Sequence, residues 1–104
     1  MHPKFIIVSR PGERVGTFVF GLVGSHRELQ ERLEGYVTVH GGGWYEKDDG
    51  AMTMTLYGSS GDFGEPRLCL LDRIPVELKD YSFFFTPFPG IPGNRLDLSE
   101  VEWI

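Results

Sequence analysis

The chain has 104 residues, 40% of them hydrophobic and 13% aromatic, which predicts one folded domain with a modest core and excludes a disordered chain. Its net charge of −5 is uneven: residues 1–33 hold five basic and three acidic side chains, residues 34–104 five basic and twelve acidic. That balance excludes sequence-independent nucleic-acid binding, which needs a dominant basic face, but leaves room for a small cationic pocket in the N-terminal third.

Lys4-Phe5-Ile6-Ile7-Val8-Ser9 reads as a first strand, apolar enough to be buried on both faces. A turn at Arg10-Pro11-Gly12-Glu13 leads to a second β-rich run, Val15 to Val23, weakened by Gly16 and Gly21. Ser25 and Glu28 then form the S-x-x-E pattern of a capping box. Leu29, Leu33 and Tyr36 follow at helical spacing and Gly35 suits the C′ position, so a helix is expected over residues 26–34. His26 becomes its first residue, at the end where the dipole favours a neutral or anion-facing imidazole. The plainer reading is a ring that fills the helix entrance.

Tyr36 to His40 alternates as a strand, and Gly41-Gly42-Gly43 reads as a loop closing it. Trp44 to Lys47 is expected to pair with Ala51 to Tyr57 through a two-residue type I′ turn at Asp49-Gly50. Met52, Met54 and Leu56 then share a core face, with Thr53, Thr55 and Tyr57 on the other. A second Gly-rich loop follows, Gly58-Ser59-Ser60-Gly61-Asp62-Phe63-Gly64. Two such loops at neighbouring strand ends can present backbone N–H groups to one anion.

Leu68-Cys69-Leu70-Leu71 reads as a strand or as the lead-in to a short helix near Val76–Lys79, with Pro75 in its first turn. The lone Cys69 excludes a disulfide framework and a cysteine-based metal site, and its apolar setting predicts a buried thiol. Tyr81 to Thr86 is an aromatic strand, residues 86–95 a Pro/Gly-rich loop, and residues 96–104 alternate as an edge strand. These elements predict a single α/β domain over residues 1–104: a mixed sheet of five to six strands, one main helix and a second short helix. No apolar run is long enough for a membrane span and no leader pattern is visible, so a soluble cytoplasmic protein without a membrane partner is expected.

Walker A and H-E-x-x-H motifs are absent, and Gly58-Ser59-Ser60-Gly61 is one residue short of a nucleophile elbow. Three histidines without metal-ligand spacing give no reason to expect a metal or other cofactor. The order of Lys4-Phe5, His26, Gly41-Gly42-Gly43, the hairpin, Tyr57 to Gly64 and Asp80-Tyr81 resembles the Janus/ocnus-type phosphohistidine phosphatases, over about residues 3–86. The resemblance implies a compact α/β domain with a phosphate site at the sheet end. It also implies a catalytic histidine near the start of the first helix, with a first-strand lysine and a serine of the second Gly-rich loop holding phosphate. Carried onto this chain these are His26, Lys4 and Ser60, with backbone groups of Gly41, Gly61 and Asp62 beside them. The implied activity is metal-free hydrolysis of a phosphoryl group on a protein or small molecule, protein phosphohistidine included.

The chain departs from that pattern twice. The interval from His26 to Gly41 is shorter by about two helical turns. Asp62 stands where the family has a small neutral residue, and a carboxylate ~4 Å from a phosphate costs roughly 1–4 kcal/mol unless it turns away to cap its own loop. His40 is the alternative imidazole. Both departures favour a second reading, a non-catalytic binding module of the same fold, with the aromatic and proline-rich Phe83–Pro92 segment as a candidate protein-partner surface.

Overall fold

A computed structural model describes residues 2–22, 24–33, 35, 38–88, 91 and 93–104. Eight strands, β1 (Lys4–Ser9), β2 (Gly16–Gly21), β3 (Thr38–Asp48), β4 (Thr53–Tyr57), β5 (Leu71–Ile74), β6 (Ser82–Thr86), β7 (Asn94–Arg95) and β8 (Glu102–Trp103), form one mixed sheet. Their order is β7-β6-β4-β3-β1-β2-β5-β8. β1 lies inside it, antiparallel to both β2 and β3. Its continuous apolar run is explained by that position: Phe5, Ile6, Ile7 and Val8 are all fully buried. By alternation Phe5 and Ile7 face the main core with Phe18, Met54, Leu56, Ile74 and Phe83, while Ile6 and Val8 pack on the other face against Leu29 of helix α1 (His26–Glu31).

The expected fold class is corrected in detail. The sheet has eight strands rather than five or six, and α1, six residues long, is the one α-helix among the described residues. The segment expected to form a second helix makes a 3-10 turn at Val76–Leu78 before the chain re-enters the sheet. β7 and β8 are two residues each, too short for any alternation to reveal. α1 also stops early, with Arg32 as C-cap; Leu33 packs beyond the helix against the Ile6–Val8 group. The readings placed on Val23, Glu34, Tyr36, Val37, Pro89, Gly90 and Pro92 lie outside the described residues.

Three local expectations also change. Leu68-Cys69-Leu70 is a 3-10 turn, which points Cys69 outward; the thiol is exposed, not buried. The β3–β4 hairpin forms, but Asp48 pairs with Thr53, leaving a four-residue loop. Its left-handed residue is Met52, at φ 56°, in place of the type I′ turn at Asp49-Gly50. Met52 thereby leaves the core face that Met54 and Leu56 keep. Lastly, Gly41, Gly42 and Gly43 lie inside β3 and are not a loop. Ile6 pairs with Gly42 and Val8 with Val39, so His40 and Gly41 together oppose Ile7 in a β-bulge. Gly41 supplies the positive φ of 86° that such a bulge uses.

The C-terminal tail shapes the whole sheet. Asn94-Arg95 pairs with β6 near one edge and Glu102-Trp103 pairs with β5 at the other. Between them Leu96, Leu98 and Val101 pack on the main core, so the tail straps the concave face and draws the two edges together. The sheet is curled toward a barrel. Among the described residues no helix is long and apolar enough to cross a membrane.

Candidate functional site

The site lies on the face that α1 covers, where the first helical turn meets the β3 bulge. Ser25 caps the helix, its hydroxyl accepting from the Glu28 N–H at 3.1 Å. The Glu28 carboxylate reaches back to the Gly24 N–H at 3.3 Å, one residue earlier than a standard capping box. Leu29 inserts beside Ile6 and Val8, and His26, one turn before it, is carried down onto β3. The glycines make that approach feasible: a Cβ on Gly42 would lie 3.3 Å from the His26 ring and 2.3 Å from the Phe5 carbonyl oxygen.

His26 is 3% exposed, and its Nε2 lies 2.7 Å from the Gly43 carbonyl oxygen. A carbonyl can only accept, so Nε2 carries the proton, and in the neutral ring the lone pair resides on Nδ1. The Trp44 ring meets the imidazole edge-on at 5.2 Å and is itself stacked on Tyr57 at 6.3 Å. Tyr57 and Trp44 are cross-strand partners, and Lys4 pairs with Trp44 from the other side. Lys4 shares the face of Ile6 and Val8 by alternation, and its Nζ donates to the His2 carbonyl at 3.1 Å. Burial, followed by the charge of Glu46, pushes the Tyr57 phenol above its ordinary value, so it remains a neutral donor.

The 58–64 loop approaches the same place. Ser60, 4% exposed, donates its N–H to the Gly42 carbonyl at 2.9 Å and to the Gly64 carbonyl at 3.1 Å. Its hydroxyl oxygen accepts from the Asp62 and Phe63 N–H groups, each at 3.1 Å, and the Gly64 N–H donates to the Ser60 carbonyl at 2.8 Å. The amides of residues 60, 62, 63 and 64 are therefore occupied within the fold, whereas that of Gly61, at the loop's tip, is not among these donors. Arg27 extends over the Phe63 ring, 5.6 Å from its centroid, joining the helix start to the loop.

Sequence elements far apart thus converge: His26, Lys4, Gly41 to Gly43 and the Ser60 loop lie around the middle of β3. Two expected details differ. The loop amides do not form an open cradle, because the Ser60 hydroxyl satisfies two of them. Ser60, not Asp62, caps the loop, and Asp62 is exposed. His40 does not share the site. Its Nε2 lies 2.7 Å from the Ser9 hydroxyl, and Ser9 belongs to the Phe5–Ile7 face of β1. In the expected partner segment Phe83 and Thr86 are buried at 1%, whereas Phe88 and Ile91 are more than half exposed.

Trp44 and Tyr57 are the residues that sequence reasoning undervalued, placing both only as hairpin strand residues. The available signal was the hairpin: any register pairing Asp48 with Thr53 brings Trp44 opposite Tyr57. Among the described residues no three metal-ligating side chains come together. No protein-family model, curated protein or solved structure matches the chain.

Proposed function

We propose that this domain is a phosphatase-like protein that binds and hydrolyses a phosphoryl group, protein phosphohistidine among the candidates, where His26 meets the glycines of β3. The observation that carries the reading is the 2.7 Å bond from His26 Nε2 to the Gly43 carbonyl. It fixes the tautomer that leaves Nδ1 nucleophilic. Attack by Nδ1 on phosphorus breaks the P–N bond of a phosphoramidate, the leaving nitrogen takes a proton from water, and a second water then cleaves the phosphorylated His26 to release inorganic phosphate and restore the neutral ring. Lys4 and Arg27 supply positive charge near the phosphoryl oxygens, and the Gly61 amide one donor. We place the protein in the cytoplasm on the same reading.

A second reading, a non-catalytic binding module, is favoured by one specific observation. His26 is 3% exposed and the Ser60 loop has most of its amides occupied, so an incoming phosphate finds few open donors. Phosphate titration followed by NMR separates the two. The enzyme reading expects shifts at Lys4, His26 and Gly61, weakened by Lys4→Ala. An unchanged spectrum at high phosphate concentration would favour the binding module.

A further inference from the structure

The C-terminal tail borders an open, surface-facing cavity of about 480 Å³, within the range of small-molecule sites. None of its lining residues belongs to the His26 site. It is lined by Tyr81, Ser82 and Phe83, by Leu96 and Leu98 of the tail, and by Trp103 of β8. Phe83 is 1% exposed and belongs to the main core, so this wall is fixed. Tyr81 is also held: its hydroxyl donates to Asp49, and the Lys47 ammonium sits 5.1 Å from its ring centroid.

Two cations complete the lining, Lys79 and Arg95, both exposed. Among the described residues neither makes an ion pair or a side-chain hydrogen bond. The one acid in the lining, Asp97, is turned to its own backbone, accepting from the Ser99 N–H at 3.0 Å. In a chain of net charge −5, two uncompensated cations beside an aromatic-walled cavity define a ligand of opposite sign and planar shape.

We propose that this cavity binds a small planar aromatic anion, its ring between Tyr81 and Trp103 and its acid group on Lys79 and Arg95. Arg95 offers the bidentate geometry that suits a carboxylate, and Lys79 a second point charge. The site does not depend on any activity at His26.

The test is titration of the protein with 2-naphthoate and, separately, with its uncharged counterpart 2-naphthalenemethanol, followed by amide and indole NMR signals. Saturable naphthoate binding is expected, with shifts at the Trp103 indole, Leu96 and Leu98. Arg95→Ala and Lys79→Ala should each weaken it about 10-fold, and rising salt should weaken it in the wild type. The alcohol should bind more weakly and be indifferent to both substitutions. Absence of saturation, equal affinity for acid and alcohol, salt-independent binding, or shifts confined to His26 and Trp44 would each overturn the proposal. Both substitutions remove exposed side chains, so thermal melts of the variants should match the wild type.

Discussion

Replacing Gly41 by alanine is the sharpest test of the β3 bulge. Gly41 has φ 86°, in the left-handed region, where an L side chain costs about 1–2 kcal/mol. A Cβ there would also lie 1.9 Å from the Glu65 carbonyl oxygen, 2.5 Å from its carbon and 2.9 Å from the Pro66 Cα. All three are backbone atoms, so no rotamer change relieves the overlap, and overpacking of this kind costs about 1–3 kcal/mol more. The sum is about 2–5 kcal/mol against a typical total of about 5–15 kcal/mol. Each kcal/mol lowers Tm by about 4–8 °C in a domain of this size, so the loss is readily seen in thermal or urea unfolding. Gly61→Ala is the control: nothing lies within 4 Å of that Cβ position, and a change within about 0.5 kcal/mol is expected. If Gly41→Ala were as mild as Gly61→Ala, the three glycines would be a loose loop and the account of the site would fail.

Met52→Gly relieves the left-handed φ at the hairpin and should stabilise the domain by about 0.5–1 kcal/mol in urea unfolding, after allowing for the entropy of glycine; destabilisation would contradict the four-residue turn. Ser60→Ala removes the acceptor for two amides and should cost about 1–3 kcal/mol, measured in the same way; a neutral effect would mean the loop is held otherwise. Acid unfolding tests the surface network. The hydrogen bond from Tyr81, then that from Lys47, holds the Asp49 carboxyl below its ordinary value of 3.8. The Arg10 backbone N–H, then Arg73, does the same for Glu13 below 4.5. The folded state stays ionised where the unfolded chain takes up protons, so this contribution is full above those ordinary values and fades as pH falls through the lowered ones. Tyr81→Phe should flatten the loss of stability with acidification, and an unaltered pH profile would remove Asp49 from the account.

Much of the central fold was legible in residue pattern. The run Lys4 to Ser9 is a doubly buried strand, Ser25 caps the helix, and Met54 and Leu56 point into the core as alternation requires. What could not be read has physical causes. Three consecutive glycines carry no side chains and hence no alternation, so a bulged strand and a loop look alike. Tertiary contact decides which: the Glu65–Pro66 backbone lies against Gly41. Cys69 follows a three-residue period that a short apolar run conceals. β7 and β8 are defined by the edges they meet rather than by their own residues. For the site, the sequence named His26, the Gly41–Gly43 segment and Ser60 but left open whether His26 or His40 faces the glycines; the Nε2 bond to the Gly43 carbonyl decides for His26. The occupied amides around the Ser60 hydroxyl and the Trp44–Tyr57 stack were not anticipated, because both depend on cross-strand register and loop closure.

Hydrolysis of a phosphohistidine or phosphoramidate substrate is the measurement that bears most directly on the proposed function, made on the wild type, His26→Gln and His40→Ala. Glutamine can still donate to the Gly43 carbonyl but offers no ring nitrogen for attack, so folding and nucleophilicity are separated. The account predicts turnover by the wild type and by His40→Ala, and none by a folded His26→Gln. Turnover retained by His26→Gln, or absent from the wild type across a wide pH range, would contradict it.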